Sequence, residues 1–272
     1  MTQVDSTTVV QLREHVRKKR PLIHHITNIV VSNFTANGVL SLGASPVMAY
    51  AIEEVEEIAQ AADALVLNMG TMTSQSVEAM KLAASSAEKA GVPIVLDPVG
   101  VGASSYRTSV GKRIVEDFDT SVVRGNVAEI ANLIGESTFI RGVDAPDDAK
   151  NKENLAIRAA KKLNTVIVVT GEEDIITDGE KVSRIENGDP MLTQVTGTGC
   201  LLTSVIAAFI STHPNSLEAT TAAVAFYGIA AECAAESIKE DLKGPGHYQI
   251  ALIDALHMTT NEEIEKRCSI NT

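Results

Sequence analysis

The run Thr196-Gly197-Thr198-Gly199-Cys200 leads directly into the apolar stretch Leu201-Leu202-Thr203-Ser204-Val205. A glycine-rich turn that opens a helix leaves several backbone N–H groups without intrahelical partners, at the positive end of the helix dipole. Such a turn can cradle an anion, above all a phosphoryl group. Glycine suits it because glycine accepts positive φ and lets a ligand come close to the backbone. Alone, the same five residues also describe an ordinary helix start after a loop. They are not a P-loop, because no Gly-Lys-Ser/Thr follows, and not a dinucleotide fingerprint, because Leu202 occupies the third glycine position. Gly100 and Gly102 fail the same fingerprint, with Ser105 at the third position.

Asp97 and Glu129 form a second constellation. Mg²⁺ takes hard oxygen ligands and is usually held by one or two carboxylates, with waters and nucleotide phosphates completing its shell. Glu129 follows Asn126 by three residues, so both project from one side of a first helical turn. Asn126 as a cap with a first-turn Glu is equally a favoured helix start.

These groups need a frame that collects them. Segments 64–68, 93–98, 121–125 and 165–170 are short and almost wholly apolar, which predicts strands. Helical spacing over 74–90, 107–118, 126–134 and 153–163 fills the gaps between them. The alternation predicts βαβ units, hence a parallel sheet covered on both faces. Ligands of an open parallel sheet bind beyond the carboxyl ends of its strands. Those ends carry Asn68 and Gly70, then Asp97, then Arg124 with Gly125 and Asn126, then Thr170 with Gly171 and Glu172. Each is unremarkable as a turn or cap residue; four strands all ending in groups able to bind phosphate or metal predict the site.

Outside this repeat, 7–19 is an amphipathic helix with a basic end, 21–27 is extended, 30–42 is helical up to Gly43, and 45–49 is a brief strand. Glu53, Glu54, Glu56 and Glu57 suit a solvated helix face, and at most one of His24 and His25 is expected to face the site. Segments 174–177 and 181–185, joined through Asp178-Gly179, predict an antiparallel hairpin. From Gly199 onward the chain is Ala-rich and helical, with Gly244-Pro245-Gly246 starting the last long helix. No linker, internal repeat or low-complexity tract divides the sequence, so 1–272 is expected to be a single domain.

Composition sets the outer limits. Of 272 residues, 44% are hydrophobic and 21% charged, as in an ordinary globular protein. Aromatics are only 3% and Trp is absent, so Ala, Val, Ile and Leu must build the core. A net charge of -12 argues against an electrostatic grip on nucleic acid or on an anionic membrane. A polyphosphate would have to be held by local devices, backbone N–H groups or a metal ion. Cys200, Cys233 and Cys268 have no metal-site spacing, and their odd number argues against a disulfide framework. Cys233 and Cys268 are expected to be a small buried side chain and a tail thiol. Met1-Thr2-Gln3-Val4-Asp5 lacks the start of a signal peptide, and no apolar run spans a bilayer, so a cytoplasmic protein without a membrane partner is expected.

Taken together, Asp97-Pro98-Val99-Gly100, Asn126-Val127-Ala128-Glu129, Val169-Thr170-Gly171 and Thr196-Gly197-Thr198-Gly199-Cys200 resemble the ribokinase-like superfamily in order and spacing. The N-terminal third narrows the resemblance. His24-His25-Ile26-Thr27-Asn28, Asn33-Phe34-Thr35-Ala36-Asn37-Gly38 and Gly43-Ala44-Ser45-Pro46-Val47-Met48-Ala49 are similar to the hydroxyethylthiazole kinase family. Leu67-Asn68-Met69-Gly70-Thr71 and Arg124-Gly125-Asn126 fit the same family, and the similarity runs over residues 22–249. It implies an α/β, ribokinase-like three-layer sandwich: a mostly parallel central sheet with helices on both faces. It implies phosphorylation of the alcohol of 4-methyl-5-(2-hydroxyethyl)thiazole with ATP and Mg²⁺, in thiamine salvage, by a homotrimer whose sites lie between neighbouring subunits. It further implies that Met48 and Gly197, with Asn28 on the same side, contact the thiazole. Arg124 and Thr170, with Asn126 and Gly199, are implied to contact ATP, and Asp97 and Glu129 to hold the metal.

Many ribokinase-like enzymes carry a catalytic Asp where this chain has Cys200, while Cys also occurs there in hydroxyethylthiazole and hydroxymethylpyrimidine kinases. Two roles for Cys200 stand open. A helix N-terminus lowers a thiol's pKa, so a thiolate could accept the hydroxyl proton. Alternatively, a loose phosphoryl-transfer transition state needs little proton removal, and Cys200 positions the substrate. A related vitamin kinase, for hydroxymethylpyrimidine or pyridoxal, is the nearest rival; the sequence lacks the early Asp-Ser-Ser-Gly-Gly type of loop and has the 28–48 block instead. A non-catalytic nucleotide sensor on the same scaffold is a second rival, opposed by the joint presence of Asp97, Glu129, Gly197, Gly199 and Cys200. A nicotinamide oxidoreductase is disfavoured by the missing fingerprint.

Overall fold

The computed structural model describes residues 4–136, 148–239 and 244–272. Met1-Thr2-Gln3, part of the N-terminal reading above, lie outside them.

Among the described residues nine strands form one sheet: β1 (Leu22–Ile26), β2 (Ser45–Met48), β3 (Ala64–Asn68), β4 (Ile94–Asp97), β5 (Val122–Asn126), β6 (Val166–Thr170), β7 (Asp174–Thr177), β8 (Val182–Ile185) and β9 (Ile270–Asn271). Their order is β2-β1-β3-β4-β5-β6-β7-β8-β9. The strands from β2 to β6 pair in parallel, and β7, β8 and β9 are added antiparallel. The fold is α/β, with a mostly parallel central sheet flanked by helices.

Side chains alternate across each strand, so each strand feeds two cores. From β3, Ala64 and Val66 join one apolar cluster, whereas Leu65 and Leu67 join the other. The first cluster is completed by α1 (Ser6–Lys19), α2 (Ser32–Leu42), α8 (Thr198–Ile210), α9 (Ser216–Lys239), α10 (Pro245–Met258) and α11 (Asn261–Arg267). The second is completed by α3 (Val55–Ala61), α4 (Ser74–Ala90), α5 (Ser105–Asp117), α6 (Val127–Leu133) and α7 (Asp148–Leu163).

Helix α8 positions the site. Every residue from Leu201 to Ile210 is buried, because the helix packs against β1, β3 and β4 on one side and α2 and α9 on the other. Its close fit to α2 depends on Gly38, where a Cβ would stand 2.4 Å from Leu201 Cδ1. Truncating a buried leucine such as Leu201 to alanine costs roughly 2–5 kcal/mol. The N-terminus of α8 is thereby fixed beside the carboxyl ends of β3 to β6.

At the C-terminus of α10, Arg13 and Arg17 of α1 reach the helix's last turn. Arg13 donates to Thr259 O and to Asn261 Oδ1, and Arg17 donates to Leu256 O and His257 O. Thr259 O, Leu256 O and His257 O are carbonyls that the C-terminus of α10 leaves unpaired, and cations there are favourable.

Candidate active site

β3 and β4 lie side by side with Asn68 opposite Asp97. Both are buried, Asp97 completely. Asn68 Nδ2 donates to Asp97 Oδ2 at 2.7 Å, and Thr203 Oγ1 of α8 donates to the same oxygen at 3.0 Å. Asn68 Oδ1 accepts from Gly70 N at 2.9 Å and from Asn28 Nδ2 at 3.0 Å. Asn28 Nδ2 also lies 3.4 Å from Cys200 Sγ. On the other side Arg124 Nη1 stands 3.7 Å from Asp97 Oδ1, and Arg124 Nη2 donates to Thr170 Oγ1 at 3.0 Å. A continuous polar chain therefore runs Cys200–Asn28–Asn68–Asp97–Arg124–Thr170, crossing the ends of five strands.

Burial decides the charge states. The Asp97 carboxyl is pushed up to about 6, chiefly by burial; Arg124 pulls it down, Glu129 raises it further, and the Thr203 and Asn68 hydrogen bonds favour the ionised form. The Cys200 thiol is pushed up to about 11, first by burial and then by the Asp97 charge. Asn68, Arg124 and Asn28 act in the opposite direction and lose. Burial and the neighbouring Asp97 charge thus oppose the lowering that a helix N-terminus would give the Cys200 thiol.

Glu129 and Asn126 realise the capping arrangement. Asn126 Oδ1 accepts from Glu129 N at 2.9 Å, while Glu129 Oε2 accepts from Asn126 N at 3.0 Å. Glu129 Oε1 accepts from Gly100 N at 2.9 Å, so this carboxylate also ties the loop after β4 to the start of α6. Asp97 Oδ1, fully buried, has no hydrogen-bond partner. Among the described residues no group of three or more His, Cys, Asp or Glu is arranged to hold a metal ion. One orphaned carboxylate oxygen with a second carboxylate nearby suits an ion that completes its shell with water and phosphate, as Mg²⁺ does.

Beside this chain lies a cavity of about 770 Å³, lined by Arg124, Asn126, Thr170, Gly199, Leu202 and Tyr227 among others. All four residues expected on the nucleotide side share it. Gly199 makes room for Arg124, since a Cβ there would stand 2.6 Å from Arg124 Nη1. Gly197 caps α8 with φ +93°, and a Cβ on it would meet Val31 Cγ1 at 2.4 Å. The first bond of the helix ladder runs from Leu201 N to Gly197 O at 2.8 Å, so the N–H groups of Thr198, Gly199 and Cys200 stand ahead of it. Tyr227 of α9 holds this turn by donating to Thr198 O at 2.8 Å.

Met48 is set apart from that cavity. It ends the outermost strand β2, opposite His25 on β1, and is half-buried. Both His24 and His25 are fully buried. His25 Nε2 lies 3.0 Å from Ser204 Oγ, and burial pushes its pKa down to about 4, so it is a neutral strut under α8.

Sequence reasoning did not single out Thr203 or Arg107. Thr203, with Ser204 beside it, interrupts the apolar run of α8, a signal that was visible. Arg107 of α5 donates through Nη1 to Met69 O and, at 2.8 Å, to Val99 O, and through Nη2 to Gly70 O at 2.7 Å. It pins the loops after β3 and β4 together, and nothing in sequence spacing announces that.

A family model described as the hydroxyethylthiazole kinase family matches residues 13–262. The solved structure of hydroxyethylthiazole kinase protein from Pyrococcus horikoshii OT3 is 39% identical, covers 97% of this chain and 98% of its own, and superposes with a TM-score of 0.90. A ribokinase-like superfamily protein from Enterococcus faecalis V583 is 14% identical over 93% of this chain and 94% of its own, with a TM-score of 0.63. An ADP/ATP-dependent NAD(P)H-hydrate dehydratase from Bacillus subtilis is 16% identical over 98% of this chain and 100% of its own, with a TM-score of 0.61. The last two share the fold.

Proposed function

The chain belongs to the hydroxyethylthiazole kinase family, and from that membership we propose how its residues divide the transfer of a phosphoryl group from ATP to the hydroxyl of 4-methyl-5-(2-hydroxyethyl)thiazole. The observation that carries the assignment is the unbroken polar chain from Cys200 to Thr170, with the turn 197–200 beside it.

Arg124 and Thr170, with Asn126 and Gly199, hold ATP in the cavity they line. Backbone N–H groups of Thr198, Gly199 and Cys200 face the charge that develops on the transferred phosphoryl, a preorganised anion hole. Asp97 and Glu129 would hold a magnesium ion, which when bound neutralises phosphate charge. Asn28, Gly197 and Met48 contact the thiazole. The substrate hydroxyl lies near Cys200, which acts as a positioning group: a thiol raised to about 11 is a poor base at neutral pH, and a loose transition state needs little proton removal. Proximity and alignment then carry much of the rate.

We read the active form as a cytoplasmic homotrimer of single-domain subunits with sites between neighbours. Ile29 and Val30, directly after Asn28, are 77% and 67% exposed, and Met48 sits on the sheet's outer edge. A neighbouring subunit would cover these residues and complete the thiazole side.

The test is ADP release from Mg-ATP with hydroxyethylthiazole, hydroxymethylpyrimidine and pyridoxal in parallel. Thiazole-dependent turnover is expected. Turnover only with another alcohol would overturn the substrate, and ATP binding without any turnover would favour a sensor.

A further inference from the structure

One wall of the nucleotide cavity is the irregular segment 186–189, Glu186, Asn187, Gly188 and Asp189, followed by Pro190 at the start of a short 3-10 helix. Residues after 262 lie beyond the matched family region, and they hold this wall. β9 pairs antiparallel with β8, Ile270 opposite Ile185. Glu186 N donates to Ser269 O at 3.3 Å. The Glu186 carboxylate accepts from Ser269 Oγ at 3.0 Å and from Asn271 Nδ2 at 3.2 Å.

Asn187 is the centre of the joint and is buried. Its Nδ2 donates to Arg267 O at 2.8 Å and to Glu232 Oε1 of α9 at 2.9 Å, and its Oδ1 accepts from Ser269 N at 2.8 Å. Gly188 N donates to the same Glu232 oxygen at 3.1 Å. From the other side α9 presses close: a Cβ on Gly228 would lie 2.5 Å from Asn187 O. The wall is clamped between α9 and the tail.

An irregular wall left free would have to be ordered on binding, at a cost in backbone entropy. A wall already ordered spares the ligand that loss. We propose that the C-terminal segment 267–271 is a positioning element of the nucleotide cavity, setting affinity for ATP through Glu186 and Asn187 without touching the groups that transfer the phosphoryl. The inference rests on the assignment of that cavity to ATP.

The experiment uses the full chain, a chain ending after Cys268, the double variant Ser269→Ala/Asn271→Ala, and Arg124→Ala. KM for ATP, KM for hydroxyethylthiazole and kcat are measured for each, with thermal melting as a check on folding. The shortened chain is expected to raise the ATP KM about tenfold, with kcat and thiazole KM within about twofold, and the double variant about threefold. A folded shortened chain with an unchanged ATP KM, or with both KM values raised alike, would overturn the proposal. The double variant keeps the β8–β9 backbone pairing and decides the matter if the shortened chain fails to fold. If Arg124→Ala also leaves the ATP KM unchanged, the cavity assignment falls instead; if only Arg124→Ala raises it, the tail's role alone falls.

Discussion

The guanidinium of Arg124 rests on the backbone of Gly199, so closely that a single methyl group there would lie 2.6 Å from Nη1. Gly199 is inside α8 and its backbone is helical, so alanine suits the position by propensity and adds up to about 1 kcal/mol of helix preference. The Arg124 tip would yield instead, leaving Thr170 and Asp97. Gly199→Ala is therefore expected to raise the ATP KM tenfold or more, about 1.4 kcal/mol, while the melting temperature gains from helix preference less than it loses above about pH 6, where buried Asp97 is left without Arg124. Melting curves and steady-state kinetics on one preparation check both halves.

Asp97 links stability to pH. Its ordinary value of 3.8 is raised to about 6 in the fold. A raised pKa means that stability is fully present below about 3.8 and is lost as pH climbs through about 6. Above that window the ionised carboxylate costs the ligand-free protein roughly 3 kcal/mol. Asp97→Asn removes the titration, so its melting temperature relative to wild type is expected to be higher at pH 8 than at pH 5. Turnover should fall by about 10²-fold or more through the lost charge. In wild type, kcat/KM should decline as pH drops below about 6.

Cys200, with its thiol near 11, should react slowly with iodoacetamide at pH 7, its rate still climbing above pH 9. Cys200→Ser keeps a small polar group in place and is expected to lower kcat by less than about tenfold, with kcat flat between pH 7 and 9. A large kcat loss together with an acidic thiol measured by alkylation would restore the base role. Cys233→Ser/Cys268→Ser provides the background for that measurement.

Arg107 spans three carbonyls on two loops, a reach that a point-charge ammonium does not reproduce. Arg107→Lys is expected to lower kcat about tenfold, and Arg107→Ala more, with partial rescue of Arg107→Ala by added guanidinium. A purely structural role would lower the melting temperature with no rescue of kcat.

What was legible in sequence was whatever depends on local pattern. The apolar strands and their polar ends, the helix opened by Gly197, and the cap at Asn126 all follow from spacing and were found within a few residues. Strand β4 is shorter than 93–98, and α5 begins before 107, because caps such as Ser104 extend a helix by side-chain bonding. Three things were illegible. Strand β9 is two residues long and exists only because β8 lies beside it. The division of the Ala-rich last third into α8, α9, α10 and α11 is set by packing rather than periodicity, since α8 is buried all round from Leu201 to Ile210. The charge states of Cys200 and Asp97 depend on how deeply the fold buries them, which no motif states.

The turn that faces the ligands is the opening of the most deeply packed helix in the molecule. Slack in α8 would be slack in the hydrophobic interior, so the phosphoryl cradle cannot be softened or stiffened on its own. The firmness of the turn is therefore the firmness of the core beneath it.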